Sequence, residues 1–134
     1  MYLIGKGLSF EASHCLPQLG SDHQCSRPHG HSYSVEVRAQ SSTLDVNGMV
    51  LDYGTLSSHV KNKYDHRDLN ELVDPDLFPA STRLGMTAEM LAEQLWTELQ
   101  ALVGELRPGS DTVITMVVVH ETTSSSATFI PGTM

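Results

Sequence analysis

The residues that first point to chemistry in this sequence are histidines. His29 and His31 stand two apart in Pro28-His29-Gly30-His31, and His14 lies upstream at the end of an alternating segment. On a β-strand, residues two apart send their side chains to the same face, so both imidazoles share a side. They continue the row Tyr33, Val35, Val37, which alternates with the polar row Ser32, Ser34, Glu36, Arg38 and so marks the core-facing side. His14 extends the row Leu8, Phe10, Ala12 in the same way. Three imidazoles are thereby placed to converge at one end of an antiparallel strand pair. Neutral imidazole is a good zinc ligand, and three protein ligands leave a position open for water or substrate. A His-x-His pair alone is more often two satisfied polar side chains than a metal site. The third imidazole, with matching parity, is what brings a metal forward, and Gly30 leaves room for a group to approach the backbone.

Three further groups lie where they can act on something held there. Cys25 is four residues before His29; beside Arg27, His23 and a divalent cation its thiolate would be favoured, giving a base or nucleophile. The plainer role of a lone cysteine is that of a small buried hydrophobe. A Cys15–Cys25 disulfide is disfavoured by the lack of a secretion pattern. Asp65-His66 falls at the expected end of a helix, where a carboxylate beside an imidazole fixes its tautomer and raises its basicity; helix ends also carry such pairs without any chemistry. Glu121 prolongs the row Val117, Val119 out of an apolar strand, and a carboxylate there needs a partner such as a ring with N–H donors, a salt bridge or a helix end. His59 and His120 read as surface or packing residues that join no constellation.

The elements that must position these groups follow from periodicity. Roughly Tyr2 to His14, and the segment from His29 onward, are predicted as antiparallel strands joined by a loop from Cys15 to Pro28. Asp52 is placed to cap a helix carrying Leu56, Val60 and Tyr64 at four-residue spacing. A second helix carries the stripe Ala88, Leu91, Ala92, Leu95, Leu99, Leu102 and is expected to stop at Gly104 and Pro108-Gly109. Between them Glu71 to Met86, with Pro75 and Pro79, reads as loop. Then come a β-branched run, Thr112 to Val119, and a short strand near Ala127 to Ile130. The order ββααββ predicts an α+β fold: an antiparallel four-stranded sheet with two helices on one face. The third strand is apolar on both sides, with Val113, Val117 and Val119 against Ile114, Met116 and Val118, so its second face should be covered, most simply by another subunit.

Composition narrows the classes. The 134 residues are expected to form one domain, 1–134. Sixteen acidic against eight basic side chains give a net charge of −8, and no Lys/Arg cluster exists to hold nucleic acid or a membrane surface. The apolar run Met116 to Val119 is far too short to span a bilayer, and the first residues lack the charged and apolar regions of a signal peptide. The expectation is a cytoplasmic protein with neither nucleic-acid nor membrane partners.

Taken together, the pieces resemble the 6-pyruvoyltetrahydropterin synthase-like enzymes. The matching stretches are Ser9-Phe10-Glu11-Ala12-Ser13-His14, Cys25-Ser26-Arg27-Pro28-His29-Gly30-His31-Ser32-Tyr33, Leu51-Asp52-Tyr53, Asp65-His66-Arg67-Asp68-Leu69-Asn70, Thr87-Ala88-Glu89 and His120-Glu121-Thr122, in order over nearly the whole chain. The resemblance implies the ββααββ tunnelling fold, with subunits joined at sheet edges into barrels and commonly assembled as hexamers of paired trimers. Three residues between the cysteine and the His-Gly-His element look like the bacterial 6-carboxytetrahydropterin synthases of queuosine and 7-deazaguanine biosynthesis, whereas five mark the animal-type pyruvoyl enzymes. The implied reaction is conversion of 7,8-dihydroneopterin triphosphate to 6-carboxy-5,6,7,8-tetrahydropterin, with loss of acetaldehyde and triphosphate.

Matched position by position, the resemblance makes His14, His29 and His31 zinc ligands, Cys25 the proton-abstracting cysteine, Asp65 and His66 a relay pair, and Glu121 the anchor of the pterin ring. Arg27 and the zinc are the evident positive charges for the triphosphate in an acidic protein. Cys15, Met86 and Tyr64 depart from the family pattern, which often has arginine, proline and leucine there. Rival readings are a 6-pyruvoyltetrahydropterin synthase or related pterin side-chain lyase, a plain zinc hydrolase in which Cys25 is incidental, and a non-catalytic pterin- or metal-binding module.

Overall fold

The structure, a computed structural model, describes residues 1–132. Its frame is the pair of 13-residue strands β1 (Tyr2–His14) and β2 (His29–Ser41). They run antiparallel in one register from Tyr2 opposite Ser41 to His14 opposite His29. Phe10, Ala12 and His14 on β1 and Tyr33, Val35, Val37 and Ala39 on β2 are buried, as the alternation predicts. That register already makes neighbours of the three imidazoles: His14 faces His29 across the ladder, and His31 sits opposite Ala12.

Two helices cover the buried face. Helix α1 (Tyr53–Tyr64) starts where the Asp52 side chain accepts from the Gly54 N–H, and it buries Leu56, Val60 and Tyr64. After the two-residue strand β3 (Arg67–Asp68) comes helix α2 (Ala88–Leu106), whose Thr87 hydroxyl accepts from the Met90 N–H. Such a cap contributes about 1 kcal/mol. Helix α2 runs through Gly104 and ends at Leu106, capped by Arg107 just before Pro108, so the expected stop at Gly104 is corrected: one glycine costs a helix only about 1 kcal/mol, and proline is the stronger terminator. The segment predicted as loop contains only short 3-10 turns, Leu69–Leu72 and Ala80–Thr82.

Strands β4 (Val113–His120) and β5 (Ser126–Phe129) complete a sheet in the order β3-β1-β2-β4-β5. It has five strands, not the four expected. The extra one, β3, lies parallel to β1 beside Ala12 and Ser13, and two residues offer no alternation from which to read a strand. A second correction concerns β4. Arg38 pairs with Met116 but Ala39 pairs with Ile114, so Thr115 is a bulge. Ile114 therefore lies on the core side with Val117 and Val119, all three fully buried, while Met116 and Val118 are half-buried on the other face. Helix α2 serves the bulge directly: the Trp96 indole N–H donates to the Ile114 carbonyl at 2.8 Å, and the Gln100 side-chain oxygen accepts from the Ile114 N–H at 2.7 Å.

Candidate active site

The His14, His29 and His31 rings meet where β1 ends and β2 begins, with centroids 4.5 to 5.1 Å apart. One nitrogen from each lies within 4.8 Å of the others. The cluster rests on an aromatic floor: Tyr33 lies edge-on to His14 and His31, and Phe10 stacks on Tyr33 at 5.4 Å.

Main-chain carbonyls set two of these rings. His14 Nδ1 is 2.6 Å from the Met86 carbonyl, and His29 Nδ1 is 2.8 Å from the Arg27 carbonyl. A carbonyl only accepts, so Nδ1 must carry the proton and Nε2 presents its lone pair. His14 is 1% exposed, and its buried Nε2 has no hydrogen-bond partner; an orphaned lone pair in such a place is costly unless something binds it. His31 Nε2 lies 3.1 Å from Glu121 Oε1 but without hydrogen-bond alignment, and it too is orphaned. Burial pushes the His31 pKa down and the other two imidazoles add to this, against the opposing pull of the Glu121 carboxylate. The neutral, ligating form is the one favoured. Burial, and then the Glu121 charge, push the Tyr33 phenol up, so it remains protonated. Buried His14 and half-buried His29, each with Nδ1 on a main-chain carbonyl, together with half-buried His31 fit a divalent cation of the zinc type.

The other expected groups are distributed around this cluster. Glu121, just beyond β4, reaches His31 as described. Cys25 lies in the 3-10 turn Gln24–Ser26, half-buried and free, with its N–H on His23 Nδ1 and its carbonyl accepting from the Leu16 N–H at 2.7 Å; its sulfur is not a member of the imidazole triad. Arg27 is exposed, and what it gives the site is its carbonyl.

Asp65 and His66 form a pair of their own, 3.0 Å apart, on the edge of β1. Asp65 accepts from the Glu11 N–H at 2.9 Å, and the His66 N–H donates to the Glu11 carbonyl at 2.6 Å. His66 adopts a left-handed backbone, φ +59°, unusual for a non-glycine residue, and its ring is 77% exposed. The Glu11 N–H and then the His66 ring hold the Asp65 carboxyl below the usual carboxylate range. A cleft of about 460 Å³ beside them is lined by Glu11, Ser13, His31, Ser32 and His66.

Some functional neighbours lay outside the sequence reading. His59 does join a constellation: with Lys63 and Tyr64 it contacts Glu98, and Gln94 donates to the Tyr64 hydroxyl at 2.8 Å. Glu98 is 39 residues from His59, a distance no local pattern spans. This cluster ties α1 to α2 and explains why Tyr64, rather than leucine, suits its position. The Met86 carbonyl is a main-chain group and carries no sequence signal.

The family profile of 6-pyruvoyl tetrahydropterin synthase matches residues 3–131. The chain is 30% identical over 129 residues to the 6-carboxy-5,6,7,8-tetrahydropterin synthase of Bacillus subtilis (strain 168), covering 96% of this chain and 84% of that protein. It is 40% identical over 79 residues to the enzyme of the same name from Synechocystis, covering 53% and 60% respectively. Among solved structures, the Caenorhabditis elegans 6-pyruvoyl tetrahydropterin synthase superposes with a TM-score of 0.70 at 24% identity, over 98% of this chain and 96% of that one. The Plasmodium vivax 6-pyruvoyl tetrahydropterin synthase gives 0.55 at 19% identity, over 96% and 98%. At such identities these two likenesses speak for the fold alone. The profile match, from the third residue to just past the last strand, decides the family: this chain belongs to the 6-pyruvoyl tetrahydropterin synthase family.

Proposed function

We propose that this protein is a zinc-dependent carbon–carbon lyase that converts 7,8-dihydroneopterin triphosphate and water to 6-carboxy-5,6,7,8-tetrahydropterin, acetaldehyde and triphosphate. The relatives named 6-carboxy-5,6,7,8-tetrahydropterin synthase support this substrate and product. The observation that carries the metal is the fixed tautomer of His14, whose buried Nε2 lone pair has no partner, beside the equally orphaned Nε2 of His31 and the Nδ1-tethered ring of His29. His14, His29 and His31 would hold the ion, which supplies Lewis acidity toward the substrate's side-chain oxygens. Cys25, in the turn leading into β2, removes a proton from the substrate side chain. Asp65 fixes the His66 ring through Nδ1, leaving Nε2 to exchange protons. Glu121 accepts N–H groups of the pterin ring and so sets its register against the histidines. Arg27, exposed at the same end of the sheet, is available to the triphosphate.

We place the reaction in the cytoplasm, in 7-deazaguanine synthesis, and in a homo-oligomer assembled as paired trimers. Apart from the short β3, β1 has no strand on its outer side among the described residues; β5 ends the other edge, and Met116 and Val118 leave apolar surface on the face opposite the helices. Edge-to-edge joining into a barrel would pair the first two and enclose the third.

Incubation of the zinc-loaded protein with dihydroneopterin triphosphate tests the assignment. Acetaldehyde and a carboxytetrahydropterin are expected. A pyruvoyl product without acetaldehyde would move the reading to a 6-pyruvoyltetrahydropterin synthase. Phosphate hydrolysis with an intact side chain would leave a plain zinc hydrolase, and binding without turnover a non-catalytic module.

A further inference from the structure

The carbonyl that orients His14 is itself held by a closed circuit of hydrogen bonds through Asn70. Asn70 Nδ2 donates to the Cys15 carbonyl at 2.9 Å and lies 3.1 Å from Cys15 Sγ, while its Oδ1 accepts from the Met86 N–H at 3.1 Å. Two acceptors on one side and a donor on the other allow only this orientation of the amide. Met86 then presents its carbonyl to His14 Nδ1 at 2.6 Å, and His14 is covalently next to Cys15, which closes the ring. The Asn70 N–H is bonded in turn to Asp68 Oδ1 at 3.0 Å, so the side chain starts from a fixed backbone.

The same loop is gripped from a second side. Gln18 accepts from the Gly85 N–H at 3.0 Å and donates to the Gly85 carbonyl at 3.2 Å. Between the two grips there is no slack: a Cβ on Gly85 would stand 1.9 Å from the Cys15 carbonyl oxygen and 3.0 Å from its carbon. The strand end that carries His14 and the loop that carries the Met86 carbonyl are therefore in backbone contact. They are fastened by two amide side chains that touch neither the imidazoles nor the cleft beside them.

We propose that Asn70, backed by Gln18 and the missing side chain at Gly85, is a positioning device for the metal ligand His14, setting its tautomer and ring angle and hence the affinity of the site for its cation. The inference rests on the zinc reading above and extends it to residues that reach the ion only through others. Loss of such an outer hydrogen bond typically weakens metal binding 10- to 100-fold.

The test measures zinc affinity by competition with a chromogenic chelator, the visible spectrum of the cobalt-substituted protein, and thermal midpoints with and without zinc. Asn70→Ala is expected to bind zinc about 10- to 100-fold more weakly, to shift the cobalt bands, and to show a reduced zinc-induced rise in midpoint. Gln18→Ala, which alters an exposed side chain with no risk to the core, should move all three readouts in the same direction by less. It carries the test alone if Asn70→Ala does not fold. A merely structural role would lower the midpoints with and without zinc together and leave affinity and spectrum at wild-type values, and that result overturns the proposal. If the wild type fails to bind zinc, or binds it as tightly after His14→Ala, the zinc reading itself has failed.

Discussion

The molecule carries two histidine constellations, and they are built in opposite ways. At the end of β1 and β2, three imidazoles are packed over Tyr33 and Phe10, two of them tethered through Nδ1 to carbonyls, with His14 fully enclosed. On the edge of β1, His66 stands out into solvent on a left-handed residue, held by one carboxylate and one strand backbone. A Lewis-acid site gains from rigidity, because ligands fixed beforehand lose little freedom when the ion arrives. A proton carrier, the role proposed above for His66, gains from reach and from contact with water. On the function proposed above, burial would separate the two tasks within one residue type.

The contrast can be broken most sharply at its buried member. His31→Ala should abolish stoichiometric zinc binding and turnover together while the protein stays folded, as measured by metal analysis of dialysed protein and by product release. Next in size, Cys25→Ala should keep zinc at wild-type affinity but lower kcat by about a hundredfold or more. A plain hydrolase would keep most of its activity after the same change. His66→Gln should lower turnover by about a hundredfold without affecting zinc, and in unfolding experiments its stability should stay within about 0.5 kcal/mol of wild type, because the ring is exposed. The smallest effect is one of pH. The Asp65 carboxyl is held below its usual range in the folded protein, so its contribution to stability is complete above the unfolded pKa of about 3.9 and fades as the pH falls through the lowered folded value. The gap in thermal midpoint between wild type and Asp65→Asn should accordingly be open at pH 6 and close in strong acid.

Much of the buried region was legible in the sequence because strand parity is a local code. Once Phe10 and Ala12 are read as inward, so is His14, and once Tyr33 and Val35 are inward, so are His31 and His29. The capped helix start at Asp52 was readable for a similar reason, since the cap and its N–H partner are only two residues apart. What escaped depended on distance or on the main chain. The partnership of His59 with Glu98 joins two helices. Strand β3 is too short to alternate. The bulge at Thr115 reversed the expected face of Ile114, and only the side chains of Trp96 and Gln100, on another element, account for the backbone groups it displaces. The resemblance to the family supplied Cys25, Asp65, His66 and Glu121 with roles that residue spacing alone left open.

The Thr115 bulge also bears on how the gene can change length. Removing one residue from a regular strand turns every side chain beyond the cut inside out. Here Ile114 and Val117 already point the same way with two residues between them. Excising Thr115 would therefore give an ordinary ladder in which Val117, Val119 and Glu121 keep their inward aspect. A chain of 133 residues lacking that threonine is a shortening this fold should accept.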